Sequence, residues 1–262
     1  MKIGLASFAF RWAFKAGMSV DAFLIRAAAM GADVVQLCEN AGLDRLDERG
    51  LRELARHAGN LGLALESGGS GGALGQMEAG IRRTACLHGS VYRCVVDSDG
   101  LTPQAVSDNI RTLLPLLREY GVVLCVENHF RFSPATLRRI VTGIDDPAVG
   151  VCLDPLNSIA QLIGPEETVR ELIDLTRTAH IKDALIVRSG TGFTVRGVAL
   201  GEGQLDLVTY LEAVGSRAQT LLLESWMDPV DGDDGVRTLE QEAMWAKDGL
   251  ALIKKLTNRS KQ

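Results

Sequence analysis

Four short segments place an acidic or imidazole side chain directly after a run of apolar, largely β-branched residues. Because such runs are typical of buried strands, each of these side chains is expected at a strand end. Carboxylate and imidazole groups together suit a borderline or hard divalent ion. The sequence therefore predicts a divalent-metal site where strand ends meet, with four ligands in chain order: Glu127, Asp154, His180 and Glu224.

The elements that must position these side chains follow from an alternation of strand-like and amphipathic segments. The predicted strands are 2–9, 33–39, 63–68, 90–96, 122–128, 149–154, 177–183 and 219–225. The predicted helices are 20–31, 47–61, 72–88, 102–120, 134–143, 165–174, 205–215 and 235–256. Eight βα units in 262 residues indicate an α/β protein with a closed (β/α)₈ TIM barrel, and a doubly wound open sheet is the alternative. We expect one domain over 1–257 and a disordered tail over 258–262.

Side chains two residues apart in a strand share a face, so the residues two positions before and after a proposed ligand point to the same side of the strand. His129 and Lys182 are expected on the faces of the proposed ligands, nearer the open end of the barrel, where catalytic groups collect. One layer below, the same period places Cys125 and Cys152. These two thiols are expected to be buried and inert rather than metal-bound.

Three further residues are candidate substrate contacts. Glu66 lies at a predicted strand end and opens the glycine-rich stretch 66–72, which lacks the full dinucleotide-binding fingerprint and reads as a βα loop. Arg188 lies in the long stretch 184–200, which predicts either a binding element or a surface hairpin. We expect Arg188 to remain close to the strand end. Trp226 follows the last strand, where its ring could pack against the C–H face of a sugar.

Composition restricts the partners. The net charge of −5 gives no basic footprint for nucleic acid, so a small-molecule sugar is the better partner. The five cysteines are odd in number and form no Cys-x-x-Cys pair, so neither a disulfide framework nor a zinc ribbon is expected. No apolar run approaches the about 20 residues of a transmembrane helix. We expect a reduced, cytoplasmic protein without membrane partners. The sequence leaves open whether the chain forms a homo-oligomer.

Five segments resemble the signature of the xylose isomerase-like sugar phosphate isomerase/epimerase family: Glu127-Asn128-His129, Asp154-Pro155-Leu156-Asn157, His180-Ile181-Lys182-Asp183, Gly201-Glu202-Gly203 and Leu223-Glu224. The resemblance spans nearly the whole chain. It implies a TIM barrel that binds one divalent ion, with Mn²⁺ expected and Mg²⁺, Co²⁺ or Zn²⁺ as alternatives, through Glu127, Asp154, His180 and Glu224. In ketose epimerases of this family, the two glutamates also act as acid and base on opposite faces of the substrate.

The chain departs from parts of this broad family. Asn157 stands where ketose 3-epimerases usually carry a histidine, and Ser133 stands where they carry a second glutamate. The first of these makes Asn157 a candidate substrate contact. Endonuclease IV enzymes need a histidine-rich trinuclear site, whereas His57 and His88 lie in predicted helices here. A standard ketohexose epimerase and a DNA repair enzyme are therefore disfavoured.

The expected chemistry is enediolate formation. A hydroxy-ketone can chelate a divalent ion, which then acts as a Lewis acid and stabilises the enediolate left when a carboxylate removes the α-proton. We expect Glu127 and Glu224 to transfer the protons, because a shared metal and burial separate their pKa values. Lys182 or Arg188 is expected to neutralise the developing oxyanion.

These observations predict a divalent-metal-dependent isomerase or epimerase that acts on a keto-sugar, a cyclitol or a related hydroxy-carbonyl compound. One alternative is a lyase or dehydratase that performs β-elimination on a keto-sugar or 3-keto-glycoside. The other is a non-catalytic sugar-binding barrel. Solvent-proton incorporation into an intact carbon skeleton would favour the first class, release of water or aglycone the second, and metal-free binding the third.

Overall fold

Eight parallel strands form a closed barrel in the computed structural model, which describes residues 1–97, 100–230 and 235–259. The barrel strands are β1 Lys2–Ala6, β2 Val34–Leu37, β3 Ala64–Ser70, β4 Val91–Val95, β5 Val123–Glu127, β6 Val149–Leu153, β7 Thr176–Ile181 and β10 Thr220–Leu223. Around the barrel the strand order is β1-β10-β7-β6-β5-β4-β3-β2. The predicted TIM barrel is therefore confirmed, and the open sheet is excluded.

Helices surround the barrel, and the sequence marks several of their ends. Thr102 and Ser133 cap helices whose first residue is proline, and Gly121 ends the first of these helices in a left-handed conformation, with φ of 64°. No helix in the described ranges is long and apolar enough to cross a membrane. The helices are α1 Arg11–Lys15, α2 Val20–Ala29, α3 Glu48–Asn60, α4 Leu74–Cys86, α5 Pro103–Tyr120, α6 Pro134–Ile144, α7 Pro165–Leu172, α8 Leu207–Gly215 and α9 Val236–Arg259.

The structure differs from the sequence-based prediction at several element ends. The first predicted strand ends at Ala6, because Ser7–Phe10 forms a 3₁₀ turn that leads into α1. The stretch 184–200 agrees with its hairpin alternative, because it is mainly an antiparallel hairpin formed by β8 Asp183–Ser189 and β9 Gly192–Val198. The last helix extends two residues into the segment predicted to be a disordered tail, and residues 260–262 lie outside the described part of the chain.

The barrel interior contains small apolar and thiol side chains beneath its polar mouth. Cys125 and Cys152 pack there with Val91 and are fully buried. Burial raises the pKa of Cys152 to about 11, which keeps its thiol protonated at neutral pH. The prediction of buried core thiols is confirmed, and all five cysteines of the chain are free.

Candidate metal centre

The four predicted ligands meet at the carboxyl ends of four adjacent strands. Glu127 is the last residue of β5, His180 lies near the end of β7, and Asp154 and Glu224 directly follow β6 and β10. These strands are neighbours in the closed barrel. All four side chains are buried, with at most 5% of any residue exposed. The barrel thus gathers residues that are up to 97 positions apart, counted from 127 to 224.

The imidazole of His180 lies at the centre of the three carboxylates. Its Nδ1 is 3.4 Å from Glu127 Oε1, 3.5 Å from Glu224 Oε1 and 3.7 Å from Asp154 Oδ2. The ligand atoms of Asp154, His180 and Glu224 all lie within 4.8 Å of one another. This spacing allows the side chains to surround a single ion.

Three of these converging atoms have no hydrogen-bond partner, although they are buried: Asp154 Oδ2, His180 Nδ1 and Glu224 Oε1. Buried polar atoms are normally hydrogen-bonded, and an unpaired buried charge is costly. A divalent cation would satisfy all three atoms at once. The donor set, with carboxylate oxygens and one imidazole nitrogen, also suits such an ion. The residues present therefore fit a divalent metal.

Glu127 is held as a carboxylate from two sides. Arg93 Nε donates to Glu127 Oε2, and Asn157 Nδ2 donates to Glu127 Oε1 at 2.8 Å. Arg93 Nη1 also donates to both carboxylate oxygens of Glu39, each at 3.1 Å. Burial alone would raise the pKa of Glu127, but Arg93 and then His180 outweigh it and hold that pKa well below its usual range. Both oxygens of Glu127 are thus engaged.

Asp154 is oriented by the turn that follows it. Its Oδ1 accepts from the backbone N–H groups of Leu156 and Asn157 at 2.8 and 2.9 Å, which directs Oδ2 toward His180. Asn128 bridges the same turn, because its Oδ1 accepts from Asp154 N and its Nδ2 donates to Asp154 O, both at 2.8 Å. The Asn128 and Asn157 positions of the motifs therefore fix the geometry of the ligands.

Lys182 lies on the same face as His180, as predicted, and is 2% exposed. Its Nζ is 2.7 Å from Asp154 Oδ2, outside hydrogen-bonding geometry, and donates to Glu224 Oε2 at 3.0 Å. Nζ also lies 4.5 Å from the centre of the Trp226 ring. Burial would lower the pKa of Lys182, but Asp154 and Glu224 outweigh it and raise that pKa above its usual value. Lys182 thus places a positive charge beside the cluster, in addition to that of Arg93 next to Glu127.

The charge balance also affects His180 itself. Burial disfavours an imidazolium, but the negative groups around the ring, Glu224 and Glu127 among them, raise the pKa of His180 well above its usual value. A divalent ion would take the place of that proton at Nδ1, because a metal ligand must be deprotonated.

Arg188, a predicted substrate contact, lies away from the cluster. Arg188 was expected near the end of β7, but the chain continues as β8, and Arg188 pairs with Phe193 close to the exposed hairpin tip. Five extended residues from Asp183 to Arg188 span about 17 Å. The expectation that Arg188 stays near the strand end is therefore wrong.

His129 lies at the rim, where its Nδ1 contacts Asp97 Oδ2 and its side chain is 24% exposed.

Glu66 was expected at a strand end, but β3 continues to Ser70 and leaves Glu66 inside the barrel, 1% exposed. Its Oε1 accepts from Thr220 Oγ1 at 2.6 Å, and its Oε2 accepts from Gln36 Nε2 at 2.9 Å. The strand runs on through Gly68, where a Cβ atom would come within 3.2 Å of Cys38 Sγ. The prediction that Glu66 lies at a strand end is therefore wrong, and its side chain lies in the layer beneath the four predicted ligands.

Asp183 explains the glycine-rich motif of the 201–203 segment. Its carboxylate accepts from the backbone N–H groups of Gly201, Gly203 and Leu205 at 2.9 to 3.1 Å. A Cβ atom on Gly203 would lie 1.9 Å from Asp183 Oδ1, so a side chain is excluded there. These hydrogen bonds to Asp183 fix the loop between the β8–β9 hairpin and α8.

Sequence reasoning missed three polar residues that contact the cluster directly or through one neighbour: Gln36, Glu39 and Arg93. Gln36 and Arg93 occupy inward positions of strands that are otherwise mainly apolar. A buried charge in a strand was the signal that could have identified Arg93, because such a group is almost always paired.

Comparison with known proteins agrees with this architecture. Residues 24–256 match the sequence model of the family described as xylose isomerase-like TIM barrel. The chain is 29% identical over 239 residues to the 3-oxo-isoapionate decarboxylase of Pectobacterium atrosepticum, which covers 87% of this chain and 86% of that protein.

Solved structures share the fold. The D-psicose 3-epimerase of Clostridium cellulolyticum H10 superimposes with a TM-score of 0.75 and 14% identity, over 98% of this chain and 99% of that chain. A structure of the IolI protein with a bound zinc atom gives a TM-score of 0.72 and 14% identity, over 97% of this chain and 98% of that chain. At such low identity these neighbours establish the fold alone.

Proposed function

Because the chain belongs to the xylose isomerase-like TIM barrel family, we propose that its cluster binds one divalent ion and acts on a small keto-sugar derivative through an enolate or enediolate. The observation that carries the proposal is the convergence of three buried atoms of Asp154, His180 and Glu224 that have no hydrogen-bond partner. Glu127 completes the set. The bound ion would supply Lewis acidity toward a substrate carbonyl. The mixed oxygen and nitrogen donors suit Mn²⁺, with Zn²⁺, Co²⁺ and Mg²⁺ as alternatives.

The reaction that we place first is decarboxylation of a 3-oxo sugar acid. The relative that shares 29% identity over 86% of its own length carries that activity in its name. In this reaction the bond from the α-carbon to the carboxylate breaks and CO₂ leaves. The electron pair remains on the α-carbon and is delocalised onto the adjacent ketone oxygen. One proton then adds to the α-carbon, so a single acid is sufficient.

The arrangement of Glu127 and Glu224 supports placing decarboxylation ahead of isomerisation or epimerisation. Arg93 and Asn157 engage both oxygens of Glu127, which leaves it suited to a fixed ligand role. Glu224 accepts from Lys182 through Oε2, while its Oε1 is unpartnered. The Glu224 carboxyl group would therefore donate the proton to the α-carbon and would regain one from solvent after the product leaves. The Lys182 ammonium also neutralises negative charge that develops on the substrate.

Isomerisation or epimerisation is the second candidate, favoured by the approach of two carboxylates to one centre. Glu127 Oε1 and Glu224 Oε1 lie 3.4 and 3.5 Å from His180 Nδ1. In this reaction one glutamate would remove the α-proton and the other would return a proton to the enediolate. It needs both residues to change protonation state, which the engaged oxygens of Glu127 disfavour. β-Elimination from a keto-sugar or 3-keto-glycoside would need the same first step.

The experiment is a product assay on the metal-loaded protein. We would incubate it with 3-oxo sugar acids and measure CO₂ release, and incubate it with keto-sugars in D₂O and measure deuterium incorporation and released water or aglycone. CO₂ release that is lost in Asp154→Ala and retained in Arg188→Ala, whose side chain lies on the exposed hairpin, is the expected result. Deuterium exchange without CO₂ release would replace decarboxylation with isomerisation.

A further inference from the structure

The ring of His180 is held on the side away from the carboxylates by Gln36. His180 Nε2 lies 2.8 Å from Gln36 Oε1, and both residues are fully buried. A carbonyl oxygen can only accept a hydrogen bond, so Nε2 must carry the hydrogen. A neutral ring protonated at Nε2 keeps its lone pair at Nδ1, which is the atom that faces the three carboxylates.

The orientation of the Gln36 amide is fixed in turn by Glu66. Gln36 Nε2 donates to Glu66 Oε2 at 2.9 Å, and the Cys38 thiol approaches Gln36 Oε1 at 3.5 Å as a donor. A reversed amide would place its carbonyl oxygen against Glu66 Oε2, which accepts from Gln36 here, and its NH₂ group beside the Cys38 thiol. Glu66 and Cys38 therefore select one orientation, independently of His180.

Glu66 is anchored from the opposite side of the barrel. Thr220 Oγ1 lies 2.6 Å from Glu66 Oε1, Thr178 Oγ1 lies 3.3 Å from Glu66 Oε2, and the two hydroxyls are 2.8 Å apart. Gln36 and Glu66 are register partners on β2 and β3, whereas the threonines lie on β10 and β7. This buried polar layer connects four strands directly beneath the candidate metal centre.

We propose that Gln36 is a positioning residue for the metal centre: held by Glu66, it selects the Nε2–H tautomer of His180 and presents Nδ1 as the ligand atom. The inference rests on the proposed metal-dependent function. Groups that accept the second N–H of a metal-bound histidine typically change metal affinity by about 10- to 100-fold. Gln36 contacts neither the ion nor the substrate, so its effect passes through His180.

The first test compares Zn²⁺ affinity, measured by competition with a chromogenic chelator, in wild-type protein and three variants. Gln36→Met removes the acceptor at similar volume and should weaken binding by about 10- to 100-fold. Gln36→Glu restores an oxygen opposite Nε2, shares a proton with Glu66, and should recover most of the affinity. Ser67→Ala removes a buried hydrogen bond to Thr84 on the outer face of β3 and should leave the affinity unchanged.

The second test needs no variant. In the Zn²⁺-loaded wild-type protein with ¹⁵N-labelled histidine, long-range ¹H–¹⁵N spectra should show His180 protonated at Nε2 and metal-bound at Nδ1. The opposite tautomer, or wild-type affinity in Gln36→Met, would overturn the role of Gln36 alone. Failure of the wild-type protein to bind Zn²⁺ would overturn the proposed metal centre together with this inference.

Discussion

Arg93 on β4 and Glu127 on β5 form a buried ion pair at the edge of the candidate metal centre. Arg93 Nε donates to Glu127 Oε2, and the two side chains are 4% and 1% exposed. Arg93 Nη1 lies 3.1 Å from Glu39 Oε1 and forms a second ion pair there. The arginine therefore links the cluster to the segment that follows β2, and it holds Glu127 ionised although that side chain is buried.

We predict that Arg93→Met lowers the free energy of unfolding of the metal-free protein by about 3–5 kcal/mol, because it leaves a buried carboxylate unpaired. Urea unfolding monitored by circular dichroism measures the change. Arg49→Met is the matched control, since it breaks the exposed pair with Glu53 and should have no measurable effect. Equal stability of Arg93→Met and wild-type protein would contradict the pairing.

The buried carboxyl group of Glu66 predicts a pH dependence of stability. Burial raises the pKa of Glu66 above the usual value of a glutamate, although hydrogen bonds from Thr220 and Gln36 oppose the shift. A raised folded-state pKa contributes stability below the unfolded-state pKa, and that stability is lost as the pH rises through the folded-state pKa. The free energy of unfolding of Glu66→Gln should therefore increase relative to wild type as the pH rises above the usual pKa of a glutamate and through the raised folded-state pKa. Urea titrations at several pH values measure this difference, and a constant difference would show that Glu66 has an ordinary pKa.

The hydrogen bonds between the Asp183 carboxylate and the 201–203 segment leave no room for a side chain at Gly203, so a single added methyl group should lower the stability. Gly203→Ala would place Cβ 1.9 Å from Asp183 Oδ1 and should destabilise the protein by about 1–3 kcal/mol, as overpacking does. Gly215→Ala is the control, because nothing lies within 4 Å of its added Cβ. Thermal unfolding of both variants measures the effect, and a neutral Gly203→Ala would show that the loop moves without cost.

The sequence was sufficient to predict the elements that carry the ligands. Strands β5, β6 and β10 are almost entirely apolar, and the acidic residue at or directly after the end of each strand marks the mouth of the barrel. This is why Glu127, Asp154 and Glu224 could be placed. Glu66 could not be placed, because Gly68 and Gly69 normally weaken a strand, yet here they continue it past the predicted end. The network of Gln36 and Arg93 depends on strands brought together by barrel closure, and no local pattern encodes such contacts.

Lys182 has a predicted role that differs from that of the ligands. Lys182→Met should retain the bound metal but lower kcat by about 10²- to 10³-fold, because the positive charge that faces the developing oxyanion is lost. Elemental analysis and steady-state kinetics on the same preparation separate these effects. An unchanged kcat would remove Lys182 from the reaction, and loss of the metal would show that it maintains the cluster instead.

The most direct measurement is the divalent-metal content of the purified protein, determined by elemental mass spectrometry after incubation with Mn²⁺, Co²⁺ or Zn²⁺. Asp154→Ala and His180→Ala, confirmed as folded by circular dichroism, are measured beside it, with Arg188→Ala as the control. We predict about one ion per chain in the wild-type protein and in the control, and loss of that ion in both cluster variants. A wild-type protein that retains no ion under these conditions would contradict the metal centre and the reaction proposed for it.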